Sequence, residues 1–305
     1  MDAQERAQAL SRVIAFINDK GGVGKTSLTA NLAGHLAHAG YRVLVIDLNR
    51  QANLADDLGY RENPDVDDDG AGLLTAISKG SPLEPVSGVR PGLDVVPGGV
   101  ELGTLTPLLT ARLMEQGRPA YAALGNCIAP IADRYDFIFV DSPPENIVLA
   151  DLALSAARWI VMPTRTDKGG LVGMKLVAKR FLLAKEINPR LGLLGAVLFA
   201  TGSGATLIQR RARDRVAEAF GGSSPMFTRT IRAAELVAEQ ARDSGRLAYE
   251  LDSDESTKRQ MAALKRGKTE PAKPAKPLTV TSVAGDYAAL TAEMLTVLAR
   301  AEAAA

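Results

Sequence analysis

Lys20-Gly21-Gly22-Val23-Gly24-Lys25-Thr26 is the stretch that orders the reading of the whole chain. It follows a short apolar run, Val13 to Ile17, and precedes Leu28, Leu32 and Leu36 at helical spacing, with Gly40 where a helix C′ residue is expected. Glycines let backbone N–H groups turn inward around phosphate oxygens, and the helix that follows offers its positive dipole end to the same charge. In this reading Gly21, Gly22, Val23, Gly24, Lys25, Thr26 and Ser27 cradle the phosphates of a nucleotide. Lys25 reaches the β- and γ-phosphates and the Thr26 hydroxyl ligates Mg²⁺. The ordinary phosphate-loop pattern wants glycine five residues before Gly24; Asp19 stands there, which leaves a variant form with an extra lysine, Lys20.

Working outward, the runs Val43 to Ile46, Leu93 to Val96, Phe137 to Val140, Trp159 to Met162 and Leu193 to Phe199 alternate with helical patterns. That alternation predicts an α/β fold, a mostly parallel, doubly wound sheet in a single nucleotide-binding domain over residues 1–257. Two runs end in an acid, Asp47 and Asp141, placed where ligands bind in open α/β sheets. Residues 61–92, with Asp65, Asp67, Asp68 and Asp69, read as irregular solvated surface around one short helix. Residues 258–277 are basic and Lys/Pro-rich, a flexible insertion. Residues 278–305 read as a helix that docks Tyr287, Leu290, Met294 and Leu298 on the same domain.

Composition narrows the function classes. The 305 residues are 46% apolar, enough for a substantial core. A single cysteine, Cys127, excludes an internal disulfide or a Cys-based metal site built by one chain, and points to a cytoplasmic setting. No basic start with an apolar stretch behind it opens the chain, so neither secretion nor membrane spanning is expected. With 36 basic and 35 acidic side chains the net charge is +1, so any anionic partner must be met by local clusters. His35 and His38 read as helix-surface residues, Cys127 as buried and Trp159 as core.

The lysine-flanked loop is similar to that of the ParA, MinD and nitrogenase-reductase-like ATPases, and the chain resembles the ParA family of deviant-Walker DNA-partition ATPases over roughly residues 12–251 and 283–298. The resemblance implies that Lys20 reaches the partner subunit's nucleotide, making ATP binding and homodimerisation one event. Asp47-Leu48-Asn49-Arg50-Gln51-Ala52-Asn53 resembles the family's Asp-x-Asp-Pro-Gln-Gly-Asn segment, with Asp47 supporting Mg²⁺ and Asn49 replacing the water-positioning Asp. The implied catalytic set is therefore Lys20, Lys25, Asp47 and Asn49, with slow or absent hydrolysis, because an amide takes no proton at neutral pH. Phe137 to Pro144 resembles the Walker B segment, so Thr26, Asp47 and Asp141 form the metal set. By the same resemblance Thr164 to Gly173 faces the base or a partner, and Phe227 to Tyr249 joins the purine pocket.

Arg210, Arg211, Arg213 and Arg215 read either as a solvated helix face or, with Arg229, Arg232, Arg242 and Arg246, as a stripe that neutralises DNA phosphates without reading bases. The implied partners are nonspecific DNA on the nucleoid and a ParB-like centromere-binding protein, with no membrane. Two other readings stand beside this one. A nonhydrolysing ATP-binding adaptor would account for Asn49, and a MinD-like positioning ATPase would need an amphipathic terminal helix with a basic face. The electron-transfer relatives are excluded, since their shared cluster needs two cysteines per chain.

Overall fold

The apolar runs become strands, and two strands that lack such runs join them. The computed structural model describes residues 3–144, 146–166, 179–202, 206–219, 225–253 and 279–304. Its strands are β1 (Val13–Phe16), β2 (Val43–Asp47), β3 (Val86–Arg90), β4 (Leu93–Val96), β5 (Phe137–Asp141), β6 (Trp159–Thr164), β7 (Gly192–Thr201) and β8 (Met226–Arg232). They form one sheet in the order β3-β4-β2-β5-β1-β6-β7-β8. Every pairing is parallel except that of β3 with β4. The helices are α1 (Ala3–Ala9), α2 (Lys25–His38), α3 (Asn53–Asp57), α4 (Ala71–Lys79), α5 (Leu105–Gln116), α6 (Ala123–Ile128), α7 (Ile147–Ala156), α8 (Thr206–Ala219), α9 (Glu235–Ser244) and α10 (Thr279–Ala303).

Alternate residues of the central strands feed two separate cores. Val13, Ala15, Leu44, Ile46, Ile138 and Val140 pack on Leu73 of α4, Leu109 of α5, Leu124 of α6 and Leu152 of α7. Ile14, Phe16, Val43, Val45, Phe137 and Phe139 pack on Leu28, Leu32 and Leu36 of α2 and on Tyr287, Leu290, Met294 and Leu298 of α10. Because both faces are covered, these strands are apolar throughout rather than alternating. The helix expected at the C-terminal end does dock, contributing about 1.5–3 kcal/mol of gross apolar burial for each large side chain.

β3 and β8 escaped the sequence reading for a physical reason. Both are edge strands, and β8 buries only Phe227 and Ile231 of its residues, so neither carries an apolar run. The edge of β8 is covered rather than open. Glu293 of α10 accepts from Thr228 N at 2.7 Å, Thr228 Oγ1 at 2.8 Å and Arg229 N at 2.8 Å. Arg213 of α8 donates to Phe227 O at 2.6 Å and Thr228 O at 2.9 Å. Such cover removes the edge as a template for strand addition.

The acidic stretch before α4 is more ordered than a solvated loop. Asp68 accepts from Gly70 N at 2.9 Å and Gly72 N at 2.7 Å at the start of α4, and Asp67 lies 3.8 Å from Arg61. His35 is a second correction: it is half-buried, its ring 5.0 Å from that of Tyr249, and burial, helped by the charge of His38, pushes its pKa down to about 4. Cys127 and Trp159 are buried, as expected. The insertion at 258–277 lies outside the described residues.

Candidate functional site

The candidate site lies at the C-terminal ends of β1, β2 and β5, where the strand order departs from the chain order. The loop after β1 turns through Gly22 and Gly24, both with positive φ, and α2 starts at Lys25. Gly24 is required twice over: its φ is +90°, and a Cβ there would meet the Phe199 ring at 2.5 Å. Lys25 is buried and its ammonium donates to Asn18 O at 2.9 Å and Lys20 O at 3.1 Å, which holds the cation across the mouth of the loop. Asn18 braces the loop's start, donating to Pro163 O at 2.7 Å and accepting from Lys20 N at 2.9 Å. Lys20 itself is half-buried beside exposed Gly21 and Gly22.

Parallel pairing of β2 with β5 sets Asp47 directly beside Asp141. The Thr26 hydroxyl donates to Asp141 Oδ2 at 2.7 Å, and Asp47 Oδ1 accepts from Asn49 N at 2.8 Å. Both carboxylates are buried, and Asp47 Oδ2 and Asp141 Oδ1 have no hydrogen-bond partner. Burial first, and then the Asp141 charge, raises the Asp47 pKa well above the carboxylate range. Burial pushes Asp141 up to about 7 against the opposing pull of Thr26 and Lys25. Two adjacent buried acids, each with an orphaned oxygen beside a hydroxyl at the foot of a phosphate loop, form a donor set that fits Mg²⁺.

Asn49 is buried close to this pair, and its Oδ1 accepts from Gln51 N at 2.9 Å, closing a turn. Ala52, at the position of the family's glycine, adopts a left-handed φ of +48°. Arg61 clamps this turn, donating to Gln51 O at 3.0 Å and Ala52 O at 2.6 Å while paired to Asp56 at 2.9 Å. Asp57 lies beside the phosphate loop: it bonds the Ser27 side chain and lies 3.8 Å from Arg242, and burial pushes its pKa up to about 6. Asp56 is thus held by Arg61, whereas Asp57 stays close enough to the strand-end acids for its charge to act on Asp141.

Next to the loop is a cleft of about 330 Å³ lined by Gly22, Ser27, Asn31, Asp57, Phe199 and the segment from Ile231 to Ala234. Its far wall comes from α9 and Arg246 to Ala248. Part of the Phe227 to Tyr249 segment thus lies against the phosphate loop, in the position expected of a purine pocket. Arg165 also lines the cleft, 3.4 Å from Gly22 O, while residues 167–178 lie outside the described residues.

The four arginines expected on DNA separate into two classes. Arg210 and Arg211 are exposed on α8, as is Arg215. Arg213 is held by the β8 carbonyls, and Arg232 is paired with Asp286 at 2.6 Å, so both serve internal contacts. Asn18, Arg61, Gly98, Arg165 and Phe199 were missed by the sequence reading. A Cβ at Gly98 would meet Asp47 O at 2.8 Å, a close approach that leaves no local signal in sequence.

Comparison with known proteins agrees with this geometry. A family model described as an AAA domain matches residues 11–193. The chromosome-partitioning ATPase Soj of Thermus thermophilus is 33% identical over 238 residues, covering 75% of this chain and 85% of that one. Among solved structures, apo McdA of Cyanothece superposes with a TM-score of 0.66 at 21% identity, over 79% of this chain and 93% of that one. The cell division ATPase MinD of Pyrococcus furiosus superposes with a TM-score of 0.64 at 22% identity, over 94% of this chain and 99% of that one. At those identities the two structures speak for the fold alone. With the lysine-flanked phosphate loop, the paired strand-end aspartates and the Soj relative in agreement, the chain belongs to the ParA family of deviant-Walker P-loop ATPases, within the AAA-domain group whose model it matches.

Proposed function

We propose that this chain is an ATP-dependent dimerising switch that binds DNA of any sequence and moves plasmid or chromosomal DNA together with a ParB-like centromere-binding protein. The observation that carries the reading is the pair Asp47 and Asp141, buried with orphaned oxygens behind a loop that holds two lysines. Mg²⁺-ATP, when bound, supplies the phosphate charge that the loop lysines meet. Lys25 would meet the phosphates, Thr26 and the two aspartates would hold the metal, and on this reading Lys20 would reach a neighbouring subunit. The DNA cargo of this reading is supported by the Soj relative, which is named a chromosome-partitioning ATPase, and the partner is what the family resemblance implies. Exposed Arg210, Arg211 and Arg215 are the DNA surface of this proposal.

A second reading is favoured by Asn49: the chain binds ATP and a partner but turns nucleotide over slowly or not at all. Its amide oxygen accepts from Gln51 N, and Asp56 is paired with Arg61. The MinD-like alternative is disfavoured by α10, whose apolar residues Tyr287, Leu290, Met294 and Leu298 are buried against the sheet and α2.

Gel shifts with random-sequence DNA and Mg²⁺-ATP test the main reading. Log affinity is expected to fall linearly with log salt, and Arg210→Glu with Arg211→Glu to weaken binding at least roughly tenfold. DNA binding that ignores both ATP and those two charges would reject it.

A further inference from the structure

A second cavity, of about 300 Å³, opens far from the nucleotide end, between α1, the C-terminal end of α7 and the 187–190 turn. It sits at the starts of the strands: Arg158, on its wall, donates its backbone N–H to Val13 O at 2.9 Å, and Val13 and Trp159 begin β1 and β6. Leu10, Ile187 and Pro189 give it apolar walls. Arg6, Arg158 and Arg190 line it, and among the described residues no carboxylate does.

Two of these guanidiniums, those of Arg6 and Arg158, are oriented by neutral partners. Arg6 donates to Asn126 Oδ1 at 2.9 Å. Arg158 lies over the Trp159 ring at 3.8 Å and donates to the Arg190 carbonyl. Burial and the Arg190 charge hold the Arg158 pKa below its ordinary value. Glu302, whose charge opposes that shift, is itself paired to Arg12 at 2.9 Å. Planar guanidiniums held in this way on the wall of a largely apolar cavity, with Arg190 beside them, are suited to bidentate capture of a carboxylate, sulfonate or phosphate. The volume is at the lower end for small-molecule sites and favours a compact ligand over a docked helix.

We propose that the cavity lined by Arg6, Arg158 and Arg190 binds a small organic anion, one with an apolar body and a single carboxylate or phosphate head. This site goes beyond the nucleotide switch and does not depend on it. α1, which brings Arg6, precedes residues 11–193 matched by the family model, so the cavity is built partly from outside the matched domain.

The test uses anilinonaphthalene sulfonate as the anionic probe and uncharged phenylnaphthylamine as its control, titrated into the full chain saturated with Mg²⁺-ATP so that the nucleotide cleft is covered. Saturable binding of the sulfonate is expected, with affinity falling roughly tenfold or more in the double variant Arg158→Gln, Arg190→Gln, as loss of charge-assisted contacts requires. Arg190 is exposed and, among the described residues, bonds within the fold through its backbone carbonyl, so Arg190→Gln alone should keep the fold and lower affinity in the same direction. Octanoate should displace the probe and octanol should not. Equal affinity in variants with native circular dichroism, equal binding of the neutral control, or no saturable sulfonate binding would each overturn the proposal.

Discussion

At the residue scale two side chains carry separate predictions, one for turnover and one for stability. Asn49 occupies a buried position beside Asp47 and keeps its turn through a side-chain oxygen that an aspartate would also supply. Asn49→Asp should therefore preserve the loop while restoring a charge and a proton acceptor, and a positioned acid or base typically contributes ~10²- to 10⁴-fold to a rate. Single-turnover ATP hydrolysis is expected to rise at least roughly tenfold; a wild-type rate equal to the variant's would place catalysis on another group. Asp57 controls a stability term instead. Burial raises its pKa from the ordinary carboxylate value to about 6, so between roughly pH 4 and 6 the folded state holds a proton that the unfolded chain has lost. That contribution is present in full below the unfolded pKa and is lost as pH rises through about 6. Asp57→Asn should flatten the stability profile over that window and add on the order of 2 kcal/mol at pH 7. Urea midpoints for the two proteins across the window measure the difference, and parallel profiles would count against a buried, protonated Asp57.

At the element scale, α10 is the piece that finishes the sheet. Glu293 satisfies two backbone donors and a hydroxyl on edge strand β8, and Asp286 accepts from Arg232 N at 3.0 Å. Glu293→Ala leaves those donors to solvent and should cost about 1–3 kcal/mol. It should also raise amide exchange along β8 while leaving β1, at the centre of the sheet, protected. Uniform loss of protection would mean that α10 and the central sheet unfold together.

At the scale of the whole molecule, a net charge of +1 means that DNA attraction cannot come from the overall field. Under the proposed function, it would depend on which arginines are free of internal partners and on doubling that surface through dimerisation. Lys20 is the expected link between ATP and the dimer. Light scattering should show the wild-type chain moving from monomer to dimer with Mg²⁺-ATP, Lys20→Ala binding ATP without dimerising as tightly, and Lys25→Ala losing nucleotide binding. Full dimerisation by the Lys20 variant would remove the cross-subunit role.

The phosphate loop, the strand-end acids Asp47 and Asp141, the central strands and the docking helix α10 were all legible in the linear sequence. Each rests on local rules: glycine at a positive φ, an apolar run buried on both faces, or a helical repeat. Tertiary structure alone decided the rest. It set Asp47 beside Asp141 by strand register, brought Phe199 over Gly24 and Gly98 against Asp47 from distant segments, and added β3 and β8 at edges where apolar patterning is weak. It also divided the arginines, leaving Arg210 and Arg211 exposed while Arg213 and Arg232 bond within the fold. Sequence lists charges, but their partners lie tens of residues away, and only the packed chain determines which of those charges remain available to a ligand.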